Sequence, residues 1–161
     1  ILLQVKASKS SLKVEITPKL SDVTESVKKA TTQAQLAKAD KEDIQLIEDY
    51  GVSINLLHDN MMFGRAVSNI VVNAIEACKE VVKVSVKKIG EEISISISDD
   101  GNGMSKQDVP LFLQGRGKSN KKNGLGIGLA SANHIIRLHG GKIIYKPSTL
   151  GGACFDIRIQ G

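Results

Sequence analysis

The sequence predicts a protein of the α/β class, organised as a single domain. Two segments, 18–38 and 60–79, repeat apolar residues at helical spacing. Two others, 82–87 and 93–98, alternate apolar and polar residues, which is typical of half-buried strands. A third helical pattern at 125–139 precedes two more short alternating segments, so helices and strands are interleaved along the chain.

The N-terminal third is predicted to contain one helix and two strands. Residues 1–13 carry little pattern and are expected to be the end of a preceding helix or a linker, in a fragment of a longer protein. A Thr-Pro pair opens the helical pattern of 17–38, since proline is tolerated in a first helical turn. Alternating segments at 44–46 and 52–56 predict two strands around a turn at Tyr50-Gly51.

The central part is predicted to be a helix followed by a β-hairpin. Asp59 or Asn60 is the expected N-cap of this helix, because a short polar side chain there accepts from the first backbone N–H groups. Strands 82–87 and 93–98 have matching alternation, and Ile89-Gly90 supplies the turn between them.

The last third is predicted to contain a loop, a helix and two strands. Residues 105–108 have the pattern of a capping box for one short helical turn, and the basic, glycine-bearing segment 110–123 predicts a mobile loop. The last helix ends before Gly140-Gly141, since glycine is favoured just past a helix. Two closing strands are predicted at 142–146 and 153–159.

The composition argues against several functional classes. Hydrophobic residues make up 41% and charged residues 24%, as in ordinary globular proteins. No apolar run has the length of a membrane span and no signal peptide is recognisable, so a cytoplasmic domain is expected. The net charge is +5, but 3% aromatic residues are too few for base stacking, so no nucleic-acid partner is expected. Cys78 and Cys154 lie in apolar segments without metal-ligand spacing, which predicts buried, reduced thiols.

A loop of two acids and two glycines, 99–103, follows the isoleucine-rich strand. Glycine lets a ligand approach the backbone closely, because it has no side chain. A carboxylate fixed there can accept a hydrogen bond from an amine such as the adenine amino group. The alternative interpretation is a tight turn with solvated acids.

The helix at 60–79 carries Asn69 and Asn73 four residues apart, and therefore on one face. Both lie at the edge of the apolar stripe. Asparagine carbonyl oxygens are suitable ligands for Mg²⁺, which keeps several waters and bridges to substrate phosphates. The alternative is a pair of surface asparagines.

Glycines alternate with apolar residues from Gly124 to Gly128, at the start of the last helix. A helix N-terminus favours anionic phosphate, and the basic residues of 116–122 suit a polyphosphate. The glycine spacing differs from the dinucleotide fingerprint. Residues 117–119 end like a P-loop, but Phe112 stands where that motif requires glycine, so a P-loop is excluded.

Together, these motifs resemble those of the catalytic, ATP-binding domain of sensor histidine kinases. Asn69 and Asn73 resemble the N box, 99–103 the first glycine box, 112–121 the F box and lid, and 124–128 the second glycine box. These kinases share the Bergerat fold with DNA gyrase, MutL and the heat-shock chaperone ATPase.

The resemblance covers about residues 14–159 and implies a catalytic domain at 14–161. It implies a two-layer α/β sandwich, in which a mixed, mainly antiparallel sheet of about five strands packs against three helices. It also implies that Asp99 binds the adenine amino group, while Gly101 and Gly103 shape the adenine pocket. Met104 and Phe112 are further nucleotide contacts on this basis.

On the phosphate side, the resemblance implies that Asn73 coordinates Mg²⁺ and that Asn69 contacts phosphate or positions the reactive group. Gly126 and Gly128 are expected to present backbone N–H groups to the phosphates. Other expected contacts in this segment are Gly124, Leu125, Ile127 and Leu129.

Two departures from the family pattern affect this site. The lid normally carries Ser/Thr-Thr-Lys, whereas 117–121 is Gly-Lys-Ser-Asn-Lys. Lys118, Lys121 and Arg116 therefore all remain candidates for the basic residue that contacts phosphate. Ala153 stands where the last box usually has a threonine that supports the adenine aspartate, so the surroundings of Asp99 are expected to differ.

The implied function is autokinase activity with ATP and Mg²⁺. ATP-hydrolysing branches place a glutamate base at the position of Asn69, and without it hydrolysis should be slow. The phosphate is expected to go to a histidine on an upstream dimerisation domain and then to a response regulator. The parent protein is expected to be a homodimer, with a membrane anchor as one option.

Two other functions are weighed against this one. The altered lid favours a non-catalytic nucleotide-binding module, a pseudokinase or scaffold, and the basic charge favours, more weakly, a nucleic-acid binder. His58, His134 and His139 are predicted to be structural, because none has the dimerisation-helix context of a phosphoacceptor.

Overall fold

The computed structural model describes residues 14–115 and 126–161. This part of the chain forms seven strands and four helices. In chain order they are β1 (Lys19–Asp22), α1 (Val23–Ala37), β2 (Gln45–Asp49), β3 (Asn55–His58), α2 (Asn60–Ala77), β4 (Val81–Ile89), β5 (Glu92–Asp99), α3 (Val109–Leu113), α4 (Gly126–Leu138), β6 (Lys142–Pro147) and β7 (Ala153–Gln160).

Five strands form one sheet in the order β2-β4-β5-β7-β6. The β2–β4 pair is parallel, and the other pairs are antiparallel. The predicted mixed, mainly antiparallel sheet is therefore confirmed. A second, two-stranded sheet pairs β1 with β3.

The hydrophobic core lies between one face of the sheet and the helices α1, α2 and α4. Ile93, Ile95 and Ile97 of β5 are at most 1% exposed, and the core cluster joins them to residues such as Val27 of α1 and Ile70 of α2. Burying an aliphatic side chain of this size stabilises the fold by about 1.5–3 kcal/mol. The two-layer sandwich and its three main helices are confirmed.

The predicted central hairpin is also confirmed. Strand β5 pairs with β4 along its whole length, from Asp99 opposite Val82 to Glu92 opposite Ile89. Gly90 has a φ of +63° at the turn, a conformation that glycine adopts without strain. The hairpin carries Asp99 to the end of the sheet.

The prediction that a helix begins at 17–18 is wrong. Residues Lys19–Asp22 form strand β1, in which Leu20 lies opposite Leu57 and is 72% exposed. Leu20 fits the helical spacing of the apolar residues that follow, but it lies in the strand and not in the helix. The helix begins at Val23 because the Asp22 carboxylate accepts from the backbone N–H of Thr24 at 2.9 Å.

The strands predicted around Tyr50-Gly51 exist, but they do not pair with each other. Strand β2 lies parallel to β4, and β3 lies antiparallel to β1. Val52, predicted to be in the second strand, is 76% exposed and lies outside it. Alternation predicts a strand but does not specify its partner, and Gly51, with a φ of +59°, turns the chain between two sheets.

Asp59 is the N-cap of α2, as predicted. Its carboxylate accepts from the backbone N–H groups of Thr17 at 2.8 Å and Met62 at 3.0 Å. These backbone donors lower the pKa of Asp59 from its ordinary value, although burial acts in the opposite direction. The cap therefore also ties the N-terminal segment to the start of α2.

The capping box predicted at 105–108 does not form. Helix α3 begins at Val109, and its N-cap Asp108 makes no side-chain capping bond. The helix occupies the first part of the segment predicted to be a loop, because Phe112 and Leu113 pack against the hydrophobic core.

The C-terminal predictions are confirmed. Helix α4 ends at Leu138, Gly140 follows with a φ of +77°, and β6 and β7 lie where the two closing strands were expected. Cys78 and Cys154 are buried and free. Among the helices of the described ranges, none has the length and apolar character needed to cross a membrane.

Candidate nucleotide-binding site

Asp99 lies at the end of β5 and is 2% exposed. Its Oδ1 accepts from the backbone N–H of Gly101 at 2.8 Å and from that of Ala153 at 3.3 Å. A backbone N–H of residue 153 thus contacts the aspartate at the position where the family usually has a threonine. These contacts fix the orientation of the carboxylate.

Two glycines, Gly101 and Gly152, lie against this carboxylate, and Gly103 lies next to Gly152. A Cβ on Gly101 would lie 2.2 Å from the carbonyl oxygen of Ala77, and a Cβ on Gly152 would lie 2.2 Å from Oδ1 of Asp99. Gly103 has a φ of +73°. Gly101 and Gly103 were predicted site residues. Gly152 was not, although its place in a glycine pair before β7 was a signal for it.

The second acid of the loop has a different role. The Asp100 carboxylate accepts from the backbone N–H of Lys79 at 2.8 Å and from that of Glu80 at 3.1 Å. Burial raises the pKa of Asp100, but donors that include Glu80, Val81 and Lys79 outweigh this effect and lower it. Asp100 therefore fastens the loop to the turn between α2 and β4.

Asn69 and Asn73 lie one turn apart on α2, and both are partly buried. Asn69 Nδ2 donates to the carbonyl oxygen of Gly128 in α4 at 3.3 Å. Further along, α2 brings the Ala77 carbonyl against Gly101. Helix α2 therefore contacts the acid-glycine loop (99–103) at its C-terminal end and the second glycine box near its middle.

Helix α4 begins at Gly126, so Gly126 and Ile127 are in its first turn. A Cβ on Gly128 would lie 3.9 Å from Cβ of Asn69, an ordinary contact. Leu129 is 1% exposed and belongs to the hydrophobic core. The other predicted phosphate-side residues lie outside the described residues: Arg116, Lys118, Lys121, Gly124 and Leu125.

Met104 and Phe112 are both partly buried and pack against the core. The Met104 backbone makes two hydrogen bonds with the hydroxyl of Tyr145, at 2.7 and 3.0 Å. Tyr145 was not predicted to be near the site. It is 41 residues from Met104, and its position in a short alternating strand gives no indication of this contact.

A cavity of about 610 Å³ lies between α1 and α2, beside the predicted site. Its lining includes Asn69, together with Glu25 and Lys29 of α1 and Arg65 of α2, but not Asp99 or Gly101. Charges of both signs meet there, so its electrostatics do not select one class of ligand.

Two of the three histidines have structural contacts. His58 is fully buried between the Ser26 hydroxyl and the Leu56 carbonyl, each at 2.8 Å. His139 Nε2 accepts from the backbone N–H of Asp59 at 3.1 Å. His134 is exposed on α4.

Comparison with known proteins identifies the family. Residues 58–160 match the family described as histidine kinase-, DNA gyrase B- and HSP90-like ATPases. The chain belongs to this family, and its similarity to the ATP-binding domains of sensor histidine kinases is thereby confirmed.

Curated relatives include sensor protein PhoQ of Escherichia coli K12, which is 30% identical over 119 residues. The virulence sensor histidine kinase PhoQ of Salmonella typhimurium LT2 is 29% identical over the same length. Each alignment covers 73% of this chain and 24% of the relative. The chain thus spans about a quarter of the length of these relatives.

Solved structures support the fold. The mycobacterial sensor histidine kinase MprB superposes with a TM-score of 0.79 at 22% identity, over 90% of this chain and 98% of that one. The ATP-binding domain of PrrB from Mycobacterium tuberculosis gives 0.73 at 21% identity, over 89% and 97%.

Proposed function

We propose that this chain is the ATP-binding catalytic domain of a two-component sensor histidine kinase, which transfers the γ-phosphate of ATP to a histidine on an upstream dimerisation domain. One observation carries the proposal. Helix α2 touches Gly101 of the acid-glycine loop through Ala77 and Gly128 of α4 through Asn69. Three motifs that are separate in the sequence therefore lie around one helix, as a single nucleotide site requires.

In this proposal, Asp99 accepts a hydrogen bond from the adenine amino group. The carboxylate is buried and held by two backbone N–H groups, so it is oriented before the ligand arrives. A hydrogen bond to a charged group contributes about 1.5–3 kcal/mol. Gly101 and Gly103 form the adjoining wall, and Met104 and Phe112 are further candidates for contact with the base.

Asn73 is the proposed protein ligand of Mg²⁺. Its amide oxygen is a hard donor, and Mg²⁺ is commonly held by one or two protein groups together with water and substrate phosphates. Within 14–115 and 126–161, no cluster of three or more His, Cys, Asp or Glu side chains offers another metal site. When bound, Mg²⁺ neutralises charge on the phosphates. Asn69 and the first turn of α4 would hold the phosphates from two sides.

The acceptor is proposed to be a protein histidine rather than water. The amide of Asn69 forms hydrogen bonds but does not accept a proton. It therefore cannot act as the general base that would activate a water molecule at that position. An acceptor imidazole nitrogen would form the bond to the γ-phosphorus as the bond to the bridging oxygen breaks. ADP leaves, and the imidazole releases its proton.

A histidine acceptor also implies roles for the rest of the parent protein. Residues 14–161 form the proposed catalytic domain, and 1–13 lead from the dimerisation domain. The phosphohistidine would pass its phosphate to a response regulator. The parent is proposed to be a homodimer, with this domain in the cytoplasm and a membrane anchor elsewhere.

A phosphotransfer assay tests the proposal. The fragment, radiolabelled ATP, Mg²⁺ and the separately purified dimerisation domain of the parent are combined, and acid-labile, base-stable label on that domain is expected. Asn73→Ala should lower the transfer, whereas Asn55→Ala, an exposed asparagine on β3, should not. Nucleotide binding without any transfer would contradict the proposal and indicate a non-catalytic module, which no observation on the described residues favours.

A further inference from the structure

The hydroxyl of Tyr145 holds a backbone segment beside the candidate site. Tyr145 lies on β6, and its Oη donates to the Met104 carbonyl oxygen at 2.7 Å. The same oxygen accepts from the Met104 backbone N–H at 3.0 Å. One side chain thus satisfies both backbone groups of a residue 41 positions away.

The tyrosine ring is itself held by the sheet. Tyr145 lies opposite Phe155 in the β6–β7 pair, and the two ring centroids are 5.5 Å apart. Phe155 is 3% exposed and belongs to the hydrophobic core. The hydroxyl therefore projects from an anchored ring and gives Met104 a fixed point.

Both ends of the acid-glycine loop are fastened to the β6–β7 hairpin. At the start of the loop, the Ala153 N–H donates to Asp99, and the Gly152 N–H donates to the Asp99 carbonyl oxygen at 3.1 Å. At its end, Tyr145 holds Met104, and a Cβ on Gly103 would lie 3.7 Å from the tyrosine oxygen. Gly103 has a φ of +73°, a conformation that most residues avoid, so the second tie fixes an otherwise permissive segment.

We propose that Tyr145 is a positioning residue of the nucleotide site, which holds the Met104 backbone in a fixed place relative to Asp99. The proposal rests on the nucleotide site proposed above. Tyr145 acts through the Met104 backbone and does not touch the nucleotide. Without the hydroxyl, the loop from Gly101 to Met104 would adopt more conformations in the free protein. Nucleotide binding would then have to order this loop.

Phenylalanine at position 145 keeps the ring and its packing but removes the donor and the acceptor. A net hydrogen bond corresponds to about a two- to tenfold change in an equilibrium constant. We therefore expect Tyr145→Phe to bind ADP about three- to tenfold more weakly than the wild type. The affinity falls because the loop is no longer ordered in the free protein, so part of the binding free energy is used to order it.

Tyr50→Phe is a matched control, because Tyr50 and Tyr145 are the two tyrosines of the chain. Tyr50 Oη donates to Glu48 Oε1 at 2.6 Å, beside the edge strand β2. This substitution also removes a tyrosine hydroxyl, with its hydrogen bond to Glu48, but the ADP affinity should stay within about twofold of the wild type. Calorimetric titrations with ADP are made well below the melting temperature of each protein.

The outcomes separate the two proposals. If the wild type does not bind ADP, the proposed nucleotide site fails and this inference fails with it. If the wild type binds and Tyr145→Phe has the same Kd, Tyr145 has only a structural role, even when its melting temperature is lower. A second measurement needs no variant: slow hydrogen exchange of the Met104 amide is expected in the nucleotide-free wild type, and rapid exchange would overturn the proposal.

Discussion

Two buried aspartates in the same sheet have different kinds of partner. Asp99 at the end of β5 is 2% exposed, and Asp156 on the adjacent strand β7 is 1% exposed. They lie on opposite faces, because Asp156 is paired with Ser96 while Asp99 continues the row of buried isoleucines. Asp156 accepts from the hydroxyls of Ser94 at 2.6 Å and Ser96 at 3.1 Å, whereas Asp99 accepts from two backbone N–H groups.

This difference separates a structural carboxylate from a candidate ligand-binding one. Arg158 Nε donates to Asp156 at 2.6 Å and Lys146 lies 3.7 Å away, so cations compensate the buried charge. The carboxylates of Glu92 and Asp156 raise the pKa of Arg158 above its ordinary value. Asp99 lies beside Gly101 and Gly152, where added side chains would come within 3.0 Å of its carboxylate, and it accepts from backbone N–H groups. Burial alone therefore does not distinguish these two carboxylates, whereas their surroundings do.

The largest effect is expected from Gly152→Ala. The new Cβ would meet Asp99 Oδ1 at 2.2 Å and the Gly101 backbone nitrogen at 2.5 Å, so the carboxylate must move. We expect the affinity for a non-hydrolysable ATP analogue to fall by more than about a hundredfold, measured by calorimetry.

The matched control is Gly64→Ala on α2, where a Cβ would meet nothing within 4 Å. It should leave binding unchanged and stabilise the helix by about 0.5–1 kcal/mol. Wild-type affinity in Gly152→Ala would mean that Asp99 is not part of the nucleotide site.

A smaller effect is expected on the phosphate side of the site, at Asn73 of helix α2. Asn73→Ala should remove most of the tightening of ATP binding by Mg²⁺, which we expect to be about fivefold or more in the wild type. Parallel titrations with Mg²⁺ and with a chelator measure it, and Asn55→Ala should retain the full Mg²⁺ dependence. A retained dependence in Asn73→Ala would place the metal elsewhere.

The smallest effect concerns a third carboxylate, Asp59, which also accepts from backbone N–H groups but caps α2. Its pKa is lowered in the folded state, so its stabilising contribution is present above the unfolded value near 3.8 and is lost as the pH falls through the folded value. The wild type should lose free energy of unfolding between pH 7 and pH 3, and Asp59→Asn should lose about 1 kcal/mol less over the same range, as measured by urea unfolding. Equal losses would show that the cap does not contribute through its charge.

Local patterns predicted those parts of the fold and site that depend on neighbours in the sequence. The spacing of Asn69 and Asn73 placed them one turn apart, and the alternation from Ile93 to Ile97 gave the strand that carries Asp99. Leu20 shows the limit, since one apolar residue at helical spacing also fits a short strand. Strand β2 shows another, because alternation does not reveal that its partner is the parallel β4.

Contacts between distant segments were beyond such patterns. Gly152 touches Asp99 across the sheet, and Tyr145 reaches Met104 over 41 residues. Neither contact produces a periodic pattern in the sequence, because each depends on how β7 pairs with β5 and with β6. The resemblance to the kinase family supplied the proposed roles of Asp99 and Asn73, but not the residues that hold the loop in place.

We propose that Asp99 binds adenine while Asp156 only stabilises the sheet, and one pair of variants tests this difference. Asp99→Asn should bind the ATP analogue about ten- to a hundredfold more weakly, from the loss of about 1.5–3 kcal/mol. Asp156→Asn should keep the wild-type Kd while losing about 1–3 kcal/mol of unfolding free energy. Unchanged affinity in Asp99→Asn, or an equal loss in both variants, would contradict the account.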